Sequence, residues 1–175
     1  MDLAVMPECY IDTNLTETLV PPRRGYNHQH GCGTVSKKMR ETFSASFALG
    51  IIDKDRNEID YLKQFEIVAH EGNLFLHKHK VLHHYIIQIS PAMEQFILAN
   101  AEKAGINLAD YDLPSNLEAL KDITKKTRSK YDHKFKALFK AIRRQGSREL
   151  ELLAAWVSYL KENNYNADLE VLKNL

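Results

Sequence analysis

Cysteine is scarce in this chain: Cys9 and Cys32 are the only two among 175 residues. That scarcity argues against a structural disulfide and for a reducing, cytosolic setting. Long apolar runs are missing too, and no stretch approaches the roughly 18 residues that a membrane-spanning helix needs. The start, Met1-Asp2, has no basic region leading into an apolar segment, so the expectation is a cytoplasmic protein with no membrane association. No single sign of charge dominates, with 24 Lys and Arg against 23 Asp and Glu. Apolar residues make up 44% and charged residues 27%, which excludes disorder and fibrous repeats and leaves a globular chain of one-domain size. The balance is local rather than uniform. Between Lys121 and Arg144 stand ten basic residues and only two acids, Asp122 and Asp132. That segment is either a solvated helical face or the contact for a polyanion.

What is present alternates. Leu3-Ala4-Val5-Met6 is a short apolar run closed by Pro7-Glu8, as a buried strand requires. Asp12-Thr13-Asn14 offers N-caps for a helix through Leu19, stopped by Pro21-Pro22. A short strand is an option around Tyr26 to His30, and Ser36 to Phe43 reads as a helix. Phe47 to Ile52 is a second buried strand, ending abruptly at Asp53-Lys54-Asp55-Arg56. Strands follow at Phe65 to His70, Leu74 to His77 and Tyr85 to Ile89, with Glu71-Gly72-Asn73 equally suited to a hairpin turn. The alternation predicts an α/β fold around a mainly parallel sheet. Beyond Ser90 the pattern is helical. Ser90-Pro91 opens a helix to about Ala104, a second stretch starts at Leu113-Pro114-Ser115, and others span Tyr131 to Arg144 and Ser147 to Asn163. Leu150, Leu153, Ala154, Val157 and Leu160 give the last an apolar face. The division expected is an α/β core over residues 1–90 and a helical extension over 91–175 packed on it.

Ligands of open α/β sheets bind at the carboxyl ends of the parallel strands. Glu8 follows the first strand, and Asp53 with Asp55 follows the strand ending at Ile52. Carboxylates converging there repel one another, and a hard cation such as Mg2+, or Mn2+ in its place, is the natural neutralising partner.

These residues resemble a known family. Glu8-Cys9-Tyr10-Ile11-Asp12 is similar to the Glu-Gly-Tyr-Met-Asp signature that opens the Toprim domain of bacterial primases. Asp53-Lys54-Asp55-Arg56 is similar to that family's Asp-x-Asp-Arg segment, and Gly31-Cys32-Gly33-Thr34-Val35-Ser36 loosely resembles its Gly-Thr-Ser segment. The likeness covers roughly residues 3 to 90. It implies the metal-binding α/β domain of primases, topoisomerases, RecR-type repair proteins, nucleases of the overcoming-lysogenization-defect type and RloB-like defence proteins. Carried over, Glu8 is a general acid or base or a further metal ligand, and Asp53 and Asp55 hold Mg2+. Cys9 stands where the family has glycine. Glu94, at a helix start after Pro91, resembles a further carboxylate of the RloB-like proteins; a first-turn glutamate also simply suits a helix dipole.

The function this implies is metal-dependent phosphodiester chemistry on DNA or RNA, most simply by a nuclease, with phosphotransfer as the other enzymatic option. Lys54, Arg56, Lys125, Lys126, Arg128, Lys134 and Lys136 would contact phosphates without reading sequence. The rival is a non-catalytic module that binds nucleic acid or protein, and a second copy of the chain is one such partner. A receiver-like phosphoacceptor fits poorly, because it needs an acidic pair after the first strand. The histidines at 77, 79, 83 and 84 lack the third and fourth ligands that zinc needs, and are expected at an exposed sheet edge. Cys9 is expected to be a buried, inert thiol and Trp156 a core or interface residue.

Overall fold

A computed structural model describes residues 2–54 and 59–175. Its centre is a five-stranded sheet in the order β1-β2-β5-β4-β3, made of β1 (Val5–Pro7), β2 (Ala48–Asp53), β3 (Phe65–Glu71), β4 (Leu74–His79) and β5 (His84–Ile89). The helices are α1 (Tyr10–Leu19), α2 (Cys32–Thr42), α3 (Met93–Lys103), α4 (Leu117–Thr124), α5 (His133–Arg144), α6 (Arg148–Asn163) and α7 (Leu169–Asn174). The α/β class is therefore as the sequence alternation predicts.

The sheet is mixed, which corrects the expectation of a mainly parallel one. β1, β2 and β5 run parallel, but β4 is antiparallel to both β5 and β3. The cause is local. Gly72 takes φ +54, and Glu71 pairs with Leu74 across the turn, so the chain folds straight back as a hairpin. The Glu149 side chain of α6 closes over Gly72, where a Cβ would stand 2.5 Å from Glu149 Oε1.

β2 and β5 are buried along almost their whole length, which explains the apolar runs Ala48 to Ile52 and Tyr85 to Ile87. One sheet face, carrying Leu49, Ile51, Tyr85, Ile87 and Ile89, packs on α1, α3, α5 and α6 in an apolar cluster that runs from Ala4 to Leu172. Residues 91–175 thus share one core with the sheet, and Trp156 is buried in it, donating its indole N–H to the Leu172 carbonyl at 3.0 Å. The other face, with Met6, Ala48, Ile52 and Ile86, is covered by Val35 and Met39 of α2 and by Tyr61, Leu62 and Phe65. At Gly50 the helix comes so close that a Cβ would lie 2.9 Å from Val35 Cγ1.

β1 is the edge strand of the parallel half, where Pro7 costs no ladder bond. The segment expected as a strand around Tyr26 to His30 is irregular, yet it shields that edge. Asn27 N–H donates to the Val5 carbonyl at 3.0 Å, Gln29 N–H to Pro7 at 2.9 Å and Gly31 N–H to Glu8 at 3.1 Å. Helix starts shift from the expected ones by a few residues. Cys9 rather than Asp12 is the N-cap of α1, and Ala92 rather than Ser90 is that of α3, with Pro91 preceding the helix. No helix among the described residues is long and apolar enough to cross a membrane.

Candidate functional site

The three parallel strands deliver their carboxyl ends to one edge of the sheet, and four acids meet there. Glu8 leaves β1, Asp53 ends β2, Asp12 sits in the first turn of α1, and Glu94 sits in the first turn of α3 after β5. Glu8 and Asp53 are locked together: Asp53 N–H donates to Glu8 Oε2 at 2.9 Å, and Glu8 N–H donates to the Ile51 carbonyl at 2.9 Å. Asp12 closes a capping box, with its Oδ2 accepting from Cys9 N–H at 3.0 Å. The Met93 N–H at the start of α3 faces Asp53 and partly offsets the rise in its pKa, as the positive end of a helix dipole does for an anion. Glu94 accepts from the Thr124 hydroxyl at 2.5 Å.

One oxygen of Asp12 and one of Asp53 remain over. Asp12 is 0% exposed, and both Asp12 Oδ1 and Asp53 Oδ1 are buried without a hydrogen-bond partner. Such atoms are costly when charged and unpaired. Burial accordingly pushes Asp12 up to about 7, with the charges of Glu8 and Glu94 adding to it. Burial pushes Asp53 up to about 9, with Asp12, Glu8 and Glu94 adding their repulsion. Desolvation raises the Cys9 thiol, and Asp12 and Asp53 raise it further, so it stays protonated, while the residue itself is half-buried and lines the adjoining cavity. Its backbone is extended at φ −136 and ψ 177, a conformation that needs no glycine.

A cavity of about 490 Å³ opens beside these groups, lined by Glu8, Asp53, Glu94, His28, His30 and Lys125 among others. The wall opposite the sheet comes from the basic segment. Asn14 of α1 donates from Nδ2 to the carbonyls of Ser129 at 2.7 Å and Asp132 at 3.0 Å, which fastens the 125–132 turn onto α1. Lys125, Lys126 and Arg128 are exposed on that turn. No family model, curated protein or solved structure matches this chain. The geometry is therefore the ground on which a function is argued.

Of the residues singled out by sequence, Glu8, Asp53, Glu94 and Lys125 come together. Asp55 and Arg56 lie outside the described residues. Lys54 extends over the Phe75 ring, with Nζ 4.9 Å from its centroid, and Lys134 pairs with Asp112 at 3.4 Å. Lys136 lies half-buried on α5. The histidine expectation holds for His83, which is exposed, and is corrected for His77, His79 and His84, which are 6%, 5% and 0% exposed. They face inward and are bonded to Gln88, Gln64 and Tyr61 respectively, at 3.2, 3.1 and 2.6 Å. Buried imidazoles need such partners, and their roles here are in the core. Sequence reasoning passed over Asp12, Tyr10 and His28. The first two were in view within the Glu8 to Asp12 signature, one turn of helix from the glutamate; nothing local marks His28.

Proposed function

We propose that this chain is a Toprim-like protein that binds Mg2+ or Mn2+ at the carboxylate cluster and hydrolyses phosphodiesters in nucleic acid. The observation that carries the reading is the pair of buried, unpartnered oxygens, Asp12 Oδ1 and Asp53 Oδ1, amid four converging carboxylates. Only a cation or a proton relieves that arrangement. Mg2+ fits the donor set, because it takes oxygen ligands, is content with one or two carboxylates and fills its shell with water and phosphate oxygens. Glu8, Asp53 and Asp55 would hold it, with Asp12 and Glu94 as the adjoining acids. Once bound it would lower the pKa of a bound water and neutralise charge on the phosphate. The chain's own residues supply the rest: the α3 N-terminus favours negative charge on Asp53, Asp53 N–H orients Glu8, and Lys125 adds positive charge to the cavity lining.

The rival reading is a nucleic-acid or protein binding module without chemistry. One observation favours it: among the described residues no group of three His, Cys, Asp or Glu side chains is set to hold a metal ion. An assay with Mg2+ or Mn2+ on single- and double-stranded DNA and RNA decides between them. Cleavage that is lost in Glu8→Gln and Asp53→Asn supports the enzymatic reading. Binding without cleavage in any of these substrates supports the module.

A further inference from the structure

His28 lies on the wall of the same cavity, and its hydrogen bonds fix which nitrogen carries the proton. The Thr13 hydroxyl donates to the Cys9 carbonyl at 2.8 Å. Having committed its hydrogen there, Thr13 Oγ1 can only accept from His28 Nδ1, which stands 3.0 Å away. With the Thr13 hydrogen on the Cys9 carbonyl, the matching tautomer has its proton on Nδ1 and a lone pair on Nε2. Nε2 is shielded from bulk water and has no hydrogen-bond partner. A buried acceptor of this kind is completed by a single water or hydroxyl entering beside it.

The surroundings hold the ring both still and neutral. Tyr10 stacks on it with centroids 4.4 Å apart, and His30 meets it edge-on at 4.7 Å. Burial first, then the neighbouring His30 and Lys130, lower its pKa. The same cavity is lined by the acids Glu8, Asp53 and Glu94 and by Lys125. An imidazole that is oriented through one nitrogen and bare at the other is equipped as a general base.

We infer that His28 is the proton acceptor of this site, taking a proton from the water that attacks the phosphodiester. The inference rests on the phosphodiesterase reading above. In the step, the water oxygen forms a bond to phosphorus while its proton passes to His28 Nε2. The bond from phosphorus to the leaving oxygen breaks, and that oxygen takes a proton from solvent. His28 then returns its proton to solvent, so atoms and charge balance with no further reactant.

The test uses the full chain and its His28→Gln variant. Nitrogen NMR of the imidazole, in the metal-free protein at about pH 8, should show Nδ1 protonated and Nε2 bare. Calorimetry should show Mg2+ binding equal in the two proteins. Cleavage of a single-stranded oligonucleotide, followed from about pH 5.5 to about pH 9, should fall at least about 100-fold in the variant and lose the acidic limb of the wild-type profile. A proton found on Nε2, or a variant within about threefold of wild type, overturns the assignment. So does a wild type that binds Mg2+ yet cleaves nothing. Failure of Mg2+ to bind wild type is a separate result, which calorimetry reports directly, and it removes the parent reading and this one together.

Discussion

Asp12 commits one carboxylate oxygen to the first turn of α1 and leaves the other buried beside three further acids. This division makes the site sensitive to pH. Both Asp12 and Asp53 have folded-state values above their ordinary 3.8, at about 7 and about 9. A raised acid favours the folded state fully below its unfolded pKa, and that contribution is lost as pH rises through the folded value. The metal-free protein should therefore lose thermal stability from about pH 4 to about pH 9, most steeply below about pH 7, where both groups contribute. Asp53→Asn resembles the protonated form and does not titrate, so it should match wild type near about pH 4 and exceed it increasingly toward about pH 9. Melting curves across that range check this; a variant that is less stable throughout would assign Asp53 to a purely structural role. Glu8 and Asp53 were legible in the sequence because each directly follows an apolar strand. Asp12 was read as an N-cap, since an acid near a helix start has that explanation ready. His28 was not legible, because its meaning comes from Thr13, fifteen residues away.

Among the elements, the strands that build the site were readable from their apolar runs, whereas the orientation of β3 and β4 stayed open, with Glu71-Gly72-Asn73 only one option for a hairpin turn. Short strands carry no direction in their composition, and the turn at Gly72 decides it. α7 was missed for a similar reason, since its six residues are too few to show a helical period. Two substitutions test how elements hold the site. Gly50→Ala should cost about 1–3 kcal/mol, because its Cβ would press on Val35 and Met39. Gly33→Ala, which has open space, should be neutral or slightly stabilising; equal losses at both positions would contradict the close packing of α2 on β2. Asn14→Ala removes the side-chain donor that ties the Ser129 and Asp132 carbonyls to α1. A loss of about 1–3 kcal/mol is expected, together with faster amide exchange in the 125–132 turn. Unchanged exchange there would mean that the turn is held by other contacts.

At the scale of the whole molecule, the chain brings an acidic cavity and a basic turn to the same edge of the sheet, although its net charge is only +1. A polyanion with its own counterions suits that pairing: phosphates meet Lys125, Lys126 and Arg128 while a cation bridges them to the acids. Reversing these three to Glu should weaken binding of both DNA and RNA and flatten its salt dependence. Affinity that is unaltered at low salt would return the segment to a solvated face. The central claim is that the carboxylate cluster is a cation site, and thermal melting of wild type and Asp53→Asn with and without Mg2+ tests it most directly. At a concentration about 100-fold above the dissociation constant, a ligand bound only by the folded state stabilises it by about 2.7 kcal/mol. For a domain of this size that corresponds to a rise of about 5–11 °C. The account predicts this rise for wild type and little or none for Asp53→Asn; no rise with Mg2+ or Mn2+ at millimolar levels, or an equal rise in both proteins, would contradict it.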